Sequence, residues 1–443
     1  MRTPIRDFVE SYGQSCAHRL HMPGHKGRGP LGCEASDLTE VAGADDLACP
    51  EGVILESEEN TTGLFGSRHT FYSTGGSSQC VKAMLHLAYI FRPEGAGRRV
   101  IAARNAHKSF LHGCALLGLE PVWLYPDAPS PLCSCPVSPE ALGRALETGE
   151  RPIAVYITSP DYLGGVQDIP ALAEVCHRHG VPLLVDNAHG AYLKFLSPSG
   201  HPLDLGADMC CDSAHKTLPV LTGGAYLHVA GGAMAAYEAE ARHSLAVFGS
   251  SSPSYLILQS LDMCSARLAG GYPGQIRKTA AEVTRLAAEL GTAPAEGDPL
   301  KLAVPAYEFG RTGRELAGLL REQRVEPEYA DEDWLVLMFT PEVDPGAFDA
   351  VRRALSGLVR GKALRPQALP GPGERVLSPR EALLSRRVSV PVRESAGRVC
   401  AEAAVSCPPA IPIAVCGERI SPEAAALMEK LGVCAVSVVE GLE

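Results

Sequence analysis

Between Phe65 and roughly Tyr255 the chain alternates short apolar runs with segments of helical periodicity. This is the rhythm of βαβ units, and it predicts an α/β fold built on a mostly parallel sheet. Three of the apolar runs break off at polar residues. Arg99 to Ala103 runs into Asn105-Ala106-His107, Val155 to Pro160 runs into a turn from Asp161 to Gly165, and Val181 to Val185 stops abruptly at Asp186. Open parallel sheets collect ligands beyond the carboxyl ends of their strands, so these breaks are where chemistry is expected.

Asp186 and Lys216 form the first candidate pair. A lysine among polar groups, as in Ser213-Ala214-His215-Lys216-Thr217, can form a Schiff base with an aldehyde cofactor. A carboxylate at a strand end can pair with a pyridinium nitrogen and keep the ring an electron sink. Together they point to pyridoxal phosphate. Taken singly, each has a plain alternative, a solvated surface lysine and a helix-capping aspartate.

A phosphate site is expected in Phe71-Tyr72-Ser73-Thr74-Gly75-Gly76-Ser77-Ser78. The following stretch, Gln79 to Tyr89, has Val81, Met84, Leu85 and Ala88 at helical spacing. Glycines followed by hydroxyls at a helix start make an anion cradle of backbone N–H groups and side-chain oxygens, here Gly76, Ser77 and Ser78. No Gly-Lys-Ser/Thr closes it, so it is not a nucleotide P-loop, and an ordinary Ser-capped helix is the alternative. His107, just past a strand end, has the flat ring needed to stack on a heteroaromatic, or it is a hydrogen-bonded loop histidine.

With these runs in view, the chain resembles the ornithine/lysine/arginine decarboxylase family, the branch built on the aspartate-aminotransferase fold (fold type I). The resemblance lies in His21-Met22-Pro23-Gly24-His25-Lys26-Gly27, Asp45-Asp46-Leu47, Phe65-Gly66 and Asn105-Ala106-His107-Lys108-Ser109. It continues in Val185-Asp186-Asn187-Ala188-His189-Gly190, Ser213-Ala214-His215-Lys216-Thr217-Leu218-Pro219, Ile411-Pro412 and Gly417-Glu418. The resemblance implies that Lys216 holds pyridoxal 5'-phosphate, Asp186 faces its ring nitrogen, His107 stacks on one ring face and Ala188 packs on the other. It also implies phosphate contacts from Gly76, Ser77, Ser78, Ser213 and His215, proton return by His215 or Lys216, and substrate contacts from His25 and Glu418. Three departures stand out. Asn187 replaces the family's usual acidic residue, Thr74-Gly75-Gly76-Ser77 replaces Asn-Gly-Thr-Ser, and Cys407-Pro408-Pro409-Ala410-Ile411-Pro412 replaces Tyr-Pro-Pro-Gly-Ile-Pro.

The expected activity is decarboxylation of a basic amino acid, with arginine favoured over lysine and ornithine because the short chain resembles the bacterial arginine-specific members. Transamination or another lyase step on the same scaffold is the alternative, and a non-catalytic cofactor-binding relative is a third reading. Family members assemble their sites between subunits. This implies a homodimer or a higher even oligomer, with the arm bearing His21 to Lys26 near a partner's site.

Composition fits a large enzyme. The chain has 443 residues, 46% of them hydrophobic, enough for two or three domains with buried cores. A net charge of −11 argues against a nucleic-acid or anionic-membrane partner. Met1 to Gln14 mixes charges with no apolar core, and no later run is long enough to span a bilayer, so a cytoplasmic protein is expected. The 15 cysteines are scattered without a Cys-x-x-Cys pair, which suits reduced, mostly buried thiols. No metal site is expected, since His177 and His179 cannot share a helix face and Pro23-Gly24 keeps His21 and His25 from pairing on a helix.

Four parts are expected along the chain: an arm over 1–63, a cofactor domain over 64–274, a connecting helix from Gln275 with a small α/β layer to 366, and a C-terminal domain over 377–443. A Pro/Gly-rich linker, Gln367 to Gly373, precedes the last.

Overall fold

A computed structural model describes residues 1–442 other than 129, 294, 296, 368–370 and 406–410. The altered signature at Cys407-Pro408-Pro409-Ala410 therefore lies outside the described residues, as does part of the expected linker. The large sheet has seven strands: β1 (His69–Ser73), β2 (Arg99–Ala103), β3 (Glu120–Leu124), β4 (Val155–Thr158), β5 (Leu183–Asp186), β6 (Met209–Asp212) and β7 (Ala225–Val229). By packing, the chain forms two compact units, one of residues Met1–Arg92 and Pro182–Gln275, the other of Pro93–Val181 and Ile276–Glu443.

The first unit carries strands in the order β1-β7-β6-β5. β5 and β6 are parallel, while β7 runs antiparallel to both of its neighbours. β5 starts at Leu183 rather than Val181 because Pro182 has no N–H to give a ladder. Its four residues are buried, as are those of β6, which is why they read as unbroken apolar runs rather than alternating ones. The helix Ser77–Ile90 buries Val81, Met84, Leu85 and Ala88 together, as their spacing predicts. The arm, expected to be turn-rich, contains helices Pro4–Gln14 and Val53–Phe65. The second follows a loop organised by Asp45, whose carboxylate accepts the N–H groups of Glu51 (2.9 Å), Gly52 (2.8 Å) and Ile54 (2.9 Å). Burial works to raise the Asp45 carboxyl, but these donors outweigh it and hold it below its ordinary value.

The second unit carries β4-β2-β3, all parallel. After it comes an antiparallel sheet of β8 (Lys301–Pro305), β9 (Tyr329–Ala330) and β10 (Trp334–Met338), ordered β8-β10-β9. Leu302, Val304, Leu335 and Leu337 pack there against Leu316 and Leu320 of the helix Gly313–Glu322 and Val351 of Ala347–Leu355. The connecting helix begins at Tyr272 rather than Gln275 and ends at Glu289. The C-terminal segment pairs β11 (Arg387–Pro391) with β14 (Ala435–Val439) and β12 (Ala404–Val405) with β13 (Ala414–Val415). Its helix Pro379–Leu384 starts from a capping box, Ser378 with Glu381, and its core joins Val392, Ile420, Met428 and Val438. No helix among the described residues is long and apolar enough to cross a membrane.

Candidate active site

In the first unit most of the expected residues follow the ends of β1, β5 and β6. β1 leads through Thr74 and Gly75 to Gly76, which sits at φ 71° ahead of the helix Ser77–Ile90 and donates its N–H to Gly223 O at 2.8 Å. That positive φ favours glycine. A Cβ at Gly76 would have only Ser78 N within reach, at 4.0 Å, so space is open over the first N–H groups of the helix. The Ser213 hydroxyl donates to Ser77 Oγ at 2.7 Å, which brings the segment after β6 to the same helix start. Ser77 and Ser78 are half-buried.

Asp186 ends β5 and is 3% exposed. Its Oδ1 accepts the N–H of Ala188 at 3.2 Å and lies 3.8 Å from the Cys211 thiol on β6. Ala188 is buried beside it. Lys216, on the short helical turn Ala214–Thr217, keeps an exposed side chain whose Nζ meets His189 Nε2 at 3.0 Å. His215 is half-buried, and its Nδ1 donates to Gly224 O at 2.9 Å. Burial lowers its pKa below the ordinary imidazole value, so at neutral pH it is uncharged and Nε2 carries the lone pair.

Behind β5 and β6 lies a polar centre with no solvent exposure. Asp212 Oδ1 accepts from Asn187 Nδ2 at 2.6 Å, and Oδ2 meets His201 Nε2 at 3.0 Å and His228 Nε2 at 3.1 Å. Burial alone would raise the Asp212 carboxyl, but the two histidines more than offset it and hold it well below the usual carboxylate range. Burial lowers His228 in turn. Cys210 joins these residues within ligand distance of a metal. However, Leu203 N–H donates to His201 Nδ1 at 3.4 Å, which puts the ring proton on Nε2, where it is given to Asp212. With His201 Nε2, His228 Nε2 and Asn187 Nδ2 all directed at Asp212, the centre is a hydrogen-bond hub.

His25, in the arm, is held by Asp37 at 3.2 Å and by Gly27 N–H at 3.0 Å. In the second unit, His107 is the N-cap of the helix Lys108–Leu117. Its Nδ1 accepts Ser109 N–H at 3.3 Å and lies 2.8 Å from Ser109 Oγ. Glu418 is 5% exposed and engaged at both oxygens by Arg104, each bond 2.7 Å. Sequence reasoning gave no role to His189, Arg104 or the Asp212 hub. His189 and Asn187 stand inside the run around Asp186 and Arg104 directly precedes Asn105, so adjacency was the available signal. The pairings themselves come from the fold.

The residues fit a phosphorylated aldehyde cofactor: an open glycine turn with hydroxyls at a helix start, a lysine beside an imidazole, a buried carboxylate at the next strand end, and a buried Thr217 Oγ1 without a hydrogen-bond partner next to the lysine.

Residues 3–290 match the family model described as Orn/Lys/Arg decarboxylase, major domain, and residues 372–436 match Orn/Lys/Arg decarboxylase, C-terminal domain. The chain is 30% identical to an arginine decarboxylase of Bacillus anthracis over 95% of this chain and 91% of that protein. It is 27% identical to an arginine decarboxylase of Bacillus subtilis over 95% and 92%. Among solved structures it is similar to lysine decarboxylase A of Pseudomonas aeruginosa, with a TM-score of 0.80 at 18% identity, covering 99% of this chain and 80% of that one. The fold is thus the expected mixed α/β fold of type I pyridoxal phosphate enzymes. By the extent of the family match over both segments, the chain belongs to the Orn/Lys/Arg decarboxylase family.

Proposed function

We propose that the protein decarboxylates a basic amino acid, arginine in preference to lysine or ornithine, with pyridoxal 5'-phosphate held by Lys216. The observation that carries this reading is the grouping, within one unit, of Lys216 against His189, Asp186 at the neighbouring strand end and the open Gly76 turn joined to Ser213 through Ser77. The arginine decarboxylases to which it is similar favour arginine. Bound there, the cofactor supplies an aldehyde for the amine and a ring that takes up the electrons left when the α-carboxylate departs.

The chain's own residues divide the remaining work. Lys216 must lose a proton to act as a nucleophile, and His189 Nε2 at 3.0 Å is placed to take it. Asp186, oriented by Ala188 N–H and the Cys211 thiol, presents its carboxylate to a ring cation. Gly76, Ser77, Ser78 and Ser213 would serve the phosphate, with His215 joining them only when its Nε2 is protonated, and His107 and Ala188 would serve the ring. Proton return to the substrate carbon falls to Lys216, or to His215 once its Nε2 has taken up a proton.

A homodimer or higher even oligomer completes the reading. The arm exposes Leu20 (93%), Met22 (62%) and Leu31 (81%) around the His21–Lys26 run, apolar surface that a second copy would cover. Buried thiols such as Cys80, Cys114, Cys210 and Cys211 suit a reducing cytoplasm. A panel of amino acids assayed for carbon dioxide and amine tests the activity. Carbon dioxide with agmatine from arginine supports it, a keto acid product would make the enzyme an aminotransferase, and bound cofactor without turnover on any basic amino acid would make it a non-catalytic relative.

A further inference from the structure

We infer that Glu418 is a positioning residue for His107, acting through Arg104. The inference rests on the cofactor-facing role proposed above for His107. Arg104 is 1% exposed, and its two terminal nitrogens donate to the two oxygens of Glu418, each at 2.7 Å; Nη2 also reaches Pro412 O at 3.3 Å. The guanidinium lies over the rings of Trp123 (5.0 Å) and Tyr125 (5.6 Å), and Glu418 Oε2 accepts Val415 N–H at 3.1 Å. A forked pair of this kind fixes the angle of the guanidinium as well as its place. Apolar side chains of the same volume would join the two segments at least as well, so a fixed angle is what the ion pair adds.

That angle bears on His107. Arg104 follows β2 and donates its N–H to Leu124 O at 2.9 Å. Asn105 and Ala106 then turn, with Ala106 N–H on Ala103 O at 3.2 Å, and the next residue is His107, capping the helix Lys108–Leu117. The far end of the same helix is also held by the C-terminal segment, since Arg380 Nη1 donates to Leu116 O at 3.0 Å and Ala115 O at 3.3 Å. The helix carrying His107 is thus pinned at entry and exit by the segment that supplies Glu418. Both Glu418 oxygens are occupied within the chain, which suits positioning rather than substrate binding.

The test compares the cofactor-loaded wild-type protein with Glu418→Gln, Arg104→Lys and Glu418→Asp by hydrogen exchange of 104–117, by the absorbance of bound pyridoxal phosphate, and by kcat and KM for arginine. Glu418→Gln and Arg104→Lys, which keeps the charge but not the fork, should both raise exchange over 104–111, shift the absorbance and lower kcat by roughly 10- to 100-fold, since small misplacement is costly. KM should stay within about twofold, because binding common to ground and transition states is not what is lost. A raised KM with unchanged kcat and exchange would make Glu418 a substrate contact and overturn the inference. Raised exchange with unchanged kcat and absorbance would reduce the pair to a structural tie and also overturn it. Should those variants not fold, the milder Glu418→Asp, which keeps the charge but not the reach of the fork, carries the test, and unchanged exchange over 104–111 or unchanged kcat there would refute it. Exchange needs no turnover. A wild-type protein without activity would therefore fail the functional reading, while unaltered exchange over 104–111 in Glu418→Gln would fail this one.

Discussion

Asp212→Asn tests the buried hub behind β5 and β6 at nearly constant shape. In the wild type one carboxylate serves three donors, His201 Nε2 at 3.0 Å, His228 Nε2 at 3.1 Å and Asn187 Nδ2 at 2.6 Å, all without solvent exposure. An amide at 212 can still accept from the imidazoles, and Asn187 can turn its buried Oδ1, which has no hydrogen-bond partner, toward the new Nδ2. What is lost is charge assistance. A bond to a charged group contributes about 1.5–3 kcal/mol and a neutral one about 1, so three bonds together lose roughly 1.5–6 kcal/mol. The pH dependence has a definite sign. The folded-state pKa of Asp212 is depressed, so its contribution is present above the unfolded value near pH 4 and is lost as the pH falls below it. Urea unfolding followed by circular dichroism should show the variant unfolding at lower urea at pH 7, with the gap narrowing toward pH 3. Equal midpoints at pH 7, or a gap independent of pH, would refute the hub.

Three further outcomes are expected. Burial pushes the Asp262 carboxyl up to about 6, although Arg6 N–H (3.0 Å) and Ser57 Oγ (2.7 Å) donate to it. Folding therefore takes up a proton between about pH 4 and 6 and stability falls as pH rises through that window, by roughly 3 kcal/mol in total; Asp262→Asn should abolish that slope in urea titrations. Asp186→Asn should retain cofactor absorbance yet lose several kcal/mol of transition-state stabilisation, read as kcat, and near-normal turnover would assign the ring nitrogen to another residue. An arm-truncated variant mixed with Lys216→Ala should regain part of the activity if the arm serves a partner's site; no recovery after proven subunit exchange would place the arm within its own chain.

Much of the candidate site is legible in the sequence because strand ends are local events. Asp186, His107 and the Gly76 turn each stand where an apolar run meets polar or turn-forming residues, and the Lys216 run is distinctive by itself. The hub is not legible, since His201 and His228 reach Asp212 only because β7 lies antiparallel beside β6. No apolar period encodes that strand order. Arg104 and Glu418 are likewise joined by tertiary packing between distant segments. The helix Val53–Phe65 is hidden in a segment that reads as turn-rich because Glu58, Thr61 and Thr62 dilute its apolar face. Its N–H groups are served by Asp45, well upstream, rather than by an adjacent cap.

Borohydride reduction of the purified protein, followed by peptide mapping, bears most directly on the central claim. The account predicts a reduced pyridoxal phosphate adduct on Lys216 alone, absent in Lys216→Ala. An adduct on another lysine, or none in protein that releases carbon dioxide from arginine, would contradict it.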